Sequence, residues 1–445
     1  MIWLFLFGCL ILISLVMSSK RPGIALGLIL MMFGLEQFLQ TRDAIFVTRS
    51  WISNVGIGAV VLFAAMPVIL KKFNKLSVDR IHLAVLVLFA FAFLSQLWTL
   101  SPETFFRTKK AIPYFILFFG LAPIISSDIK GISQGIWTAL YVGIPLVFLF
   151  VFLVTWEGRG IRLAAPVFVK GKLSFTSPPL ALATMAAQTG ILSIVLVSKN
   201  KLLQLLQFSV FALAVYVAYR TQSRGQLIAL AIVTLFCYPL ANQGTKLKQF
   251  VVATLSFIVL GIIVYIVFQS FDHGGVNRWN QNAIRHAAEG RAGMSAALLS
   301  TWLENGLFSV LFGLGVNSSF ATSGFYVHNL PCEILGEYGF FGASIFIFIY
   351  FDATRKAFRV IKKLHHYPHM RREIVMLIAL LLFSTIVSMK EGSMSSWPHL
   401  FFYAIAISHL EKHSRQFVAS QRSLREIFMT SFYNGSEHSF HPTMR

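Results

Sequence analysis

The sequence HNLPCEILGEYGFFGASIFIFIY, residues 328–350, decides the fold class of this chain. It is apolar over roughly the 20 residues that a membrane-spanning helix needs. The run nevertheless begins with His328 and carries two carboxylates, Glu333 and Glu337. Ionisable side chains at membrane depth are costly and are commonly functional. This span is therefore the first candidate for a functional site, and its polar groups need partners from elsewhere in the chain.

The composition extends the membrane assignment to the whole chain. Of 445 residues, 56% are hydrophobic and 12% are charged, which is typical of a polytopic membrane protein. The three cysteines lie inside apolar runs and predict neither a disulfide framework nor a zinc site. We expect an all-α polytopic membrane protein, with one membrane domain over residues 1–412. Residues 413–445 are predicted to be a polar cytoplasmic tail of a composition common in disordered termini.

Apolar runs of about 16 to 22 residues predict 12 or 13 transmembrane helices. The runs cover residues 2–17, 23–38, 55–70, 81–100, 111–126, 134–156, 180–197, 205–219, 227–240, 250–268, 328–350, 374–387 and 400–410. The first run lacks a basic region and a cleavage site, so we expect it to be retained. A large loop, about residues 269–327, separates two of the runs, and within it residues 277–302 show a helical apolar pattern.

The basic residues predict the orientation, because cytoplasmic loops of membrane proteins carry an excess of Lys and Arg. We assign the basic loop Arg355–Arg372 to the cytoplasm, and alternation then assigns every other loop. The outer loops still keep about twice as many basic as acidic residues, against this bias. The arginines concerned are Arg42, Arg49, Arg107, Arg159, Arg162, Arg220, Arg224, Arg278, Arg285 and Arg291. Because arginine suits phosphate, the set favours an anionic ligand at the outer face; ordinary solvated loop charges are the alternative.

Two outer segments carry the arginines of most interest. In the first, Arg220 and Arg224 flank Ser223, and Ser223 with Gln226 has the form of a capping box that would start a helix at Arg224. A helix start beside two arginines predicts an anion site, although a simple helix start with snorkelling arginines fits as well. The second segment is the large loop, where Arg291 stands between glycines and Arg278 and Arg285 precede it.

His328 is the candidate general base, since an imidazole can accept a proton near neutral pH. Asn329 and Glu333 are four residues apart on one helix face and could orient a substrate or the imidazole. Glycines at every third position predict a stripe on which another helix packs: Gly336, Gly339 and Gly342. A structural histidine at the membrane interface is the alternative.

These residues together resemble a known family, the O-antigen ligase and polymerase superfamily of bacterial envelope enzymes. The resemblance rests on Thr221-Gln222-Ser223-Arg224-Gly225, a later Gly313-Leu314-Gly315, and His328-Asn329 followed after nine residues by Gly339-Phe340-Phe341-Gly342. The turn Leu97-Trp98-Thr99-Leu100-Ser101-Pro102 is also similar. The similarity covers about residues 90 to 350 and is strongest from about 219 to 345.

The resemblance implies an inverting, metal-independent glycosyltransferase with a GT-C-like helical membrane fold in the bacterial inner membrane. Its donor would be a glycan linked through diphosphate to undecaprenol, and its acceptor a saccharide or lipid A-core on the periplasmic side. His328 would be the base, while Arg224 and Arg291, aided by Arg220, would bind the diphosphate. Ser223, Asn329, Glu333, Arg285 and Arg278 are further candidates for contact with substrate. We expect no cofactor, no metal and no nucleic-acid partner.

Three functions remain open at this stage. A ligase transfers a finished polymer to an acceptor such as lipid A-core, and the well-matched histidine spacer favours this version. An O-antigen or exopolysaccharide polymerase would join lipid-linked repeat units and needs the same donor site. A flippase or transporter of an anionic lipid-linked glycan would also use outward arginines, but no inverted internal repeat supports it.

Overall fold

The computed structural model describes residues 2–72, 78–101, 103–154, 156, 168–169, 172–173, 179–196, 198, 200–241, 251, 281–363 and 368–416. The predicted run 250–268, apart from residue 251, lies outside the described residues, as do Arg278, Arg159, Arg162 and the tail from 417. The helix that contains residue 412 continues to 416, so the boundary predicted at 412/413 falls within a helix.

The described residues form an almost entirely helical protein. The helices are α1 (Ile2–Lys20), α2 (Gly23–Gln40), α3 (Ala44–Thr48), α4 (Trp51–Lys72), α5 (Arg80–Leu94), α6 (Thr104–Phe115), α7 (Ala122–Ser126), α8 (Ile129–Phe152), α9 (Pro179–Val195), α10 (Lys201–Arg220), α11 (Arg224–Ala241), α12 (Gln281–Glu304), α13 (Gly306–Phe312), α14 (Ser318–Ser323), α15 (Leu330–Lys363), α16 (Pro368–Ser388) and α17 (398–416). A π-helical turn, Ile116–Leu121, joins α6 to α7. Two short strands, β1 (Phe168–Val169) and β2 (Lys172–Leu173), pair antiparallel with Phe168 opposite Leu173.

Eight of the described helices are long and apolar enough to cross a membrane. These segments are Ile2–Lys20, Gly23–Gln40, Trp51–Lys71, Arg80–Leu97, Ile129–Phe152, Lys201–Arg220, Arg224–Ala241 and Leu330–Lys363. Two further apolar helices, Ala111–Ser126 and Pro179–Val195, are shorter. The chain is thus a helical, multi-pass membrane protein that contacts the lipid bilayer, while the total of 12 or 13 spans stays a prediction.

The centre of the bundle is α2, which packs closely against α8. A Cβ on Gly27 would lie 2.4 Å from the Cβ of Thr138, and one on Gly135 would lie 2.8 Å from the Cβ of Leu26. Small residues let membrane helices approach until their backbones are in van der Waals contact. By contrast, α1 leaves most of its apolar surface exposed, as expected of a helix at the lipid boundary.

The helix that carries the opening sequence, α15, is kinked at Gly339. This glycine has φ 63° and ψ −165°, a backbone conformation that is open almost only to glycine. The kink leaves two carbonyls free for the loop 313–315: Leu314 N donates to Gly336 O at 3.0 Å, and Gly315 N donates to Glu337 O at 2.9 Å. Backbone polar groups released at a kink need such partners.

The predicted glycine stripe is therefore wrong in part. Gly336 does receive another helix, since a Cβ there would lie 2.6 Å from Cγ of Leu298 in α12. Gly339 forms the kink and also receives the end of α13, since a Cβ there would lie 2.6 Å from Leu311 O. A Cβ on Gly342, by contrast, would meet Tyr338 of the same helix at 2.3 Å. The regular spacing could not reveal this, because an interrupted helix does not keep one face.

The turn after α5 holds the loop that meets this kink. Trp98 Nε1 donates to Gly313 O at 3.2 Å, and Thr99 Oγ1 donates to Val316 O at 2.7 Å. Val316 N in turn donates to Ser95 Oγ at 3.0 Å. The turn 97–102, which the family resemblance had selected, thus has a structural role, because it fixes the loop that leads towards His328.

Replacing the kink glycine should destabilise the protein. In Gly339→Ala a Cβ would lie 2.5 Å from Gly313 N, and the positive φ adds strain, so we expect a loss of at least about 3 kcal/mol in the free energy of unfolding. Gly290→Ala in α12 is the matched control, because no atom lies within 4 Å of its Cβ position; it should be neutral or stabilise by up to about 1 kcal/mol. Thermal unfolding in detergent measures both, and equal unfolding temperatures would contradict the role assigned to Gly339.

The predicted cytoplasmic loop Arg355–Arg372 is also corrected. Helix α15 continues to Lys363 and α16 begins at Pro368, so most of that segment is helical. Lys356 is not a solvated loop charge: its Nζ lies 2.9 Å from Asp79 Oδ2, 3.0 Å from Asp352 Oδ2 and 2.6 Å from Ser408 Oγ. Two carboxylates justify a lysine at this depth. Asp352 lies one turn earlier in the same helix, whereas Asp79 precedes α5 and is distant in sequence, so the sequence hides that second pairing.

Candidate functional site

The start of α11 supplies the first part of the site. The helix begins at Arg224 as predicted, but the capping box is not formed. Ser223 Oγ donates to Pro179 O at 3.5 Å, and Gln226 Oε1 has no hydrogen-bond partner. Gln226 instead donates from Nε2 to Glu391 Oε2 at 2.6 Å, with its side chain buried. The motif is thus tied to a distant segment of the chain and not to its own helix end.

Arg220, at the end of α10, is engaged by aromatic side chains. Its guanidinium lies 4.3 Å from the centre of the Trp156 ring, and Nη1 donates to the hydroxyl of Tyr216 at 2.9 Å. Such a cation–π contact stabilises and orients the cation. The structure therefore gives Arg220 a supporting position beside the site and leaves Arg224 as the arginine at the helix start.

The connection after α16 brings in two residues that the sequence analysis missed, Lys390 and Glu391. Lys390 Nζ lies 2.9 Å from Glu391 Oε1, and the Lys390 side chain crosses Gly225 so closely that a Cβ there would lie 2.4 Å from Lys390 Cδ. Trp397 Nε1 donates to the carbonyl oxygen of Glu391 at 2.9 Å and fixes the turn. The available signal was a Lys-Glu pair between two apolar runs, on the same predicted side as the arginines.

Helix α12 supplies the third cation, Arg291. The helix predicted over residues 277–302 is confirmed in its described part. Leu298 packs on Gly336, and Trp302 Nε1 donates to Ser309 O at 2.7 Å. The first contact fastens α12 to α15 and the second fastens it to α13. Half-buried Arg291, on the same helix, lies where its charge acts on both His328 and Lys390.

Arg285 occupies a different environment on the same helix. Its Nε lies 2.7 Å from Glu289 Oε1, and the two side chains are 79% and 55% exposed. An exposed pair of this kind contributes little to stability, and its surroundings are those of a solvated helix face. Of the three arginines predicted in the large loop, Arg291 is the one near His328, Arg285 is not, and Arg278 lies outside the described residues.

His328 lies two residues before the start of α15 and adopts a left-handed backbone conformation, with φ 56°. Asn329 caps the helix: its Oδ1 accepts from Cys332 N at 3.1 Å. The imidazole lies against Tyr326, with the ring centres 4.1 Å apart, and its buried Nδ1 has no hydrogen-bond partner. A non-glycine residue at positive φ is uncommon and costs energy, so its presence marks this position as a candidate for function.

The surroundings of His328 keep its imidazole neutral. Burial lowers the pKa of His328 below its ordinary value of 6.5, and the positive charges of Arg291 and Lys390 lower it further. A neutral imidazole near pH 7 is able to accept a proton from a substrate hydroxyl. The same field that disfavours protonation of His328 would attract a polyanion.

The two carboxylates of α15 serve the loops around the site. Glu333 Oε1 accepts from Met394 N at 2.9 Å, while Glu337 accepts from Asn317 N at 2.8 Å and from Ser319 N at 3.1 Å. Both side chains are buried. Asn329 and Glu333 were predicted to orient a substrate or the imidazole; their hydrogen bonds in the structure go to backbone N–H groups.

The structure thus brings four side chains to one neighbourhood: Arg224, Lys390, Arg291 and His328. Within the parts of the chain that the structure describes, no group of three or more His, Cys, Asp or Glu side chains is arranged to hold a metal ion. The chemistry offered here is cationic binding of a polyanion beside a neutral base. No protein-family model matches this chain, and no curated protein matches it, so its function has to be argued from this arrangement.

Proposed function

We propose that this chain is an inverting, metal-independent membrane glycosyltransferase of the O-antigen ligase type. It transfers a glycan from an undecaprenyl-diphosphate-linked donor to an acceptor hydroxyl, such as one on lipid A-core, in lipopolysaccharide or surface polysaccharide biosynthesis. The site faces the periplasm from the bacterial inner membrane, in a GT-C-like bundle of 12 or 13 spans. One arrangement carries the proposal: His328, held at positive φ against the ring of Tyr326, lies in the field of Arg291 and Lys390, and Lys390 crosses Gly225 beside Arg224.

The proposed reaction uses each group once. His328 accepts the proton of the acceptor hydroxyl while the oxygen attacks the anomeric carbon from the face opposite the diphosphate. The bond from the anomeric carbon to the diphosphate oxygen breaks, and undecaprenyl diphosphate leaves with the electron pair. Arg224 and Arg291 stabilise the negative charge that develops on the leaving group, so no proton has to be supplied to it.

Exposed apolar side chains of α13 and α15 suit a donor that stays in the membrane. Leu307 and Phe308 in α13 are 73% and 54% exposed, and Phe340 and Phe341 in α15 are 52% and 44% exposed. Exposed large apolar side chains of this kind are compatible with lipid. They support approach of a lipid-linked donor from the side, within the outer leaflet.

A transporter is less well supported than an enzyme. Such a protein would continue its basic surface towards the opposite end of the bundle. There, among the described residues, Lys356 is paired with Asp79 and Asp352, and Lys363 lies 3.3 Å from Glu411 Oε1. These two lysines are paired with carboxylates. Near His328, by contrast, three cations (Arg224, Arg291 and Lys390) outnumber Glu391, the carboxylate paired with Lys390.

A polymerase remains the second candidate, because it would use the same donor site with a different acceptor. The glycan profile of a deletion strain separates the two. Loss of a ligase leaves long chains on the lipid carrier, which is the result we expect, and loss of a polymerase leaves single repeat units there. An unchanged pool of lipid-linked glycans would contradict both.

A further inference from the structure

Lys390 is brought beside the start of α11 by the fold and by no local sequence feature. Its side chain crosses Gly225, the residue after Arg224, with Nζ 2.7 Å from the position that a Cβ on Gly225 would occupy. The charges of both Arg224 and Arg291 act on it. Lysine has a compact ammonium group with three donors, and it binds phosphate as a point charge.

The ammonium group of Lys390 is held in place by Glu391 and keeps hydrogen-bond donors for a ligand. Among the described residues one acceptor takes a hydrogen bond from it, Glu391 Oε1 at 2.9 Å, which leaves two donors for a ligand. The Lys390 side chain is 25% exposed, whereas that of Glu391 is 7% exposed. Gln226 donates to the other oxygen of Glu391, so the buried carboxylate is held between Gln226 and Lys390.

The charges around Lys390 match the class of ligand. Arg224, Arg291 and Lys390 are three cations, and Glu391 is one anion, so the group has a formal net charge of +2. A glycosyl prenyl diphosphate is a diester with two negative charges near neutral pH. Without Lys390 the same group would be one charge short.

We infer that Lys390 is a third cation of the donor site, contacting the diphosphate between Arg224 and Arg291, and that position 225 is glycine so that Lys390 can cross it. This inference rests on the proposed function. Gln226 and Glu391 act as positioning residues for Lys390. A Cβ at position 225 displaces the lysine and has the same consequence as its removal.

Binding of geranylgeranyl diphosphate to the purified full-length protein in detergent tests the inference, since this compound is an analogue of the leaving group. Lys390→Met should weaken binding by about 10- to 100-fold, the loss of one charge-assisted contact. Gly225→Ala should weaken it by a similar factor. The double variant should bind no more weakly than Lys390→Met alone, because both changes remove the same contact.

Two further variants separate binding from folding. Lys390→Arg keeps the charge and should bind within about threefold of wild type, since the guanidinium can still pair with Glu391. Lys390→Met combined with Glu391→Gln leaves no buried carboxylate unpaired, so its unfolding temperature should match that of wild type while its binding stays weak.

The outcomes distinguish this inference from the proposed function. Tight binding by Lys390→Met overturns the role of Lys390, and additive losses in the double variant overturn its link to Gly225. A wild-type protein that does not bind the diphosphate, or that binds it equally well after Arg224→Ala and Arg291→Ala, overturns the proposed function itself. Weak binding by Lys390→Met at an unchanged unfolding temperature supports the inference.

Discussion

His328→Ala should lower glycan transfer by about 10²- to 10⁴-fold, the usual contribution of a general base. Binding of a prenyl diphosphate should persist in this variant, because the cations that hold it are on other elements. The imidazole is placed for this role by the positive φ of His328, by the ring of Tyr326 and by the helix cap at Asn329. The measurement is single-turnover transfer from a lipid-linked donor, with donor binding determined separately.

His286→Ala is the matched control for that substitution. His286 lies on the open face of α12, where its side chain is 83% exposed and lies near Glu289, and its removal should leave transfer unchanged. Full activity in His328→Ala would remove the base from the mechanism. Equal losses of transfer and of binding would mean that His328 holds the donor and accepts no proton.

The pH dependence of transfer adds an independent check on the same residue. Burial, Arg291 and Lys390 lower the pKa of His328, so the base is protonated and activity lost only as the pH falls below the ordinary value of 6.5. The fall of kcat at acidic pH should occur at a higher pH than the fall of kcat/KM. The reason is that a bound diphosphate offsets the charges of Arg291 and Lys390 and so raises the pKa of His328 in the complex. Arg291→Gln removes one of these positive charges, so the fall of kcat/KM at acidic pH should also move to a higher pH. An unchanged pH profile in this variant would contradict the placement of Arg291 near His328.

Arg291→Ala should weaken donor binding by about 10- to 100-fold, the effect of one lost charge-assisted hydrogen bond. The rate of transfer at saturating donor should fall as well, since the negative charge on the leaving group increases in the transition state. Arg285→Ala is the matched control: it removes an arginine of the same helix, at an exposed position paired with Glu289, and should change neither quantity.

Arg224→Lys extends this test to the start of α11. A lysine keeps the charge, but its ammonium group is a point charge and cannot make the two-pronged contact of the planar guanidinium. We therefore expect a large loss of transfer despite the unchanged net charge. If Arg224→Lys and Arg291→Ala, each made singly, both showed near-normal turnover, the donor would be held elsewhere. A large effect of Arg285→Ala would show instead that the exposed face of α12 binds substrate.

Much of the helical framework could be predicted from apolar runs and local signals. The described part of α12 follows from residues close in sequence, whereas α11 begins at Arg224 as predicted although the capping box is not formed. The kink at Gly339 could not be predicted in this way, because it depends on carbonyls that find their donors in the loop 313–315. Lys356 likewise has a buried position that depends on Asp79, a carboxylate far away in sequence, as well as on Asp352 in its own helix.

The residues of the candidate site likewise divide into those that the sequence predicts and those that depend on contacts between distant segments. The sequence predicts His328 from its place at the start of an apolar run, and the family resemblance selects Arg224 and Arg291; the charges of these groups and of Lys390 act on one another in the structure. Lys390 itself was missed because its contact with Gly225 joins residues far apart in sequence. The capping box predicted for Gln226 is wrong for the same reason: the partner of Gln226 is Glu391, which belongs to another segment.

The most direct test of the central claim is transfer by the purified protein. We expect that, supplied with an undecaprenyl-diphosphate-linked glycan and an acceptor in the presence of EDTA, it forms a glycosidic bond with inverted anomeric configuration and releases undecaprenyl diphosphate. Retention of configuration, or transfer that stops in EDTA and returns with a divalent cation, would contradict the mechanism that His328, Arg224 and Arg291 are proposed to perform.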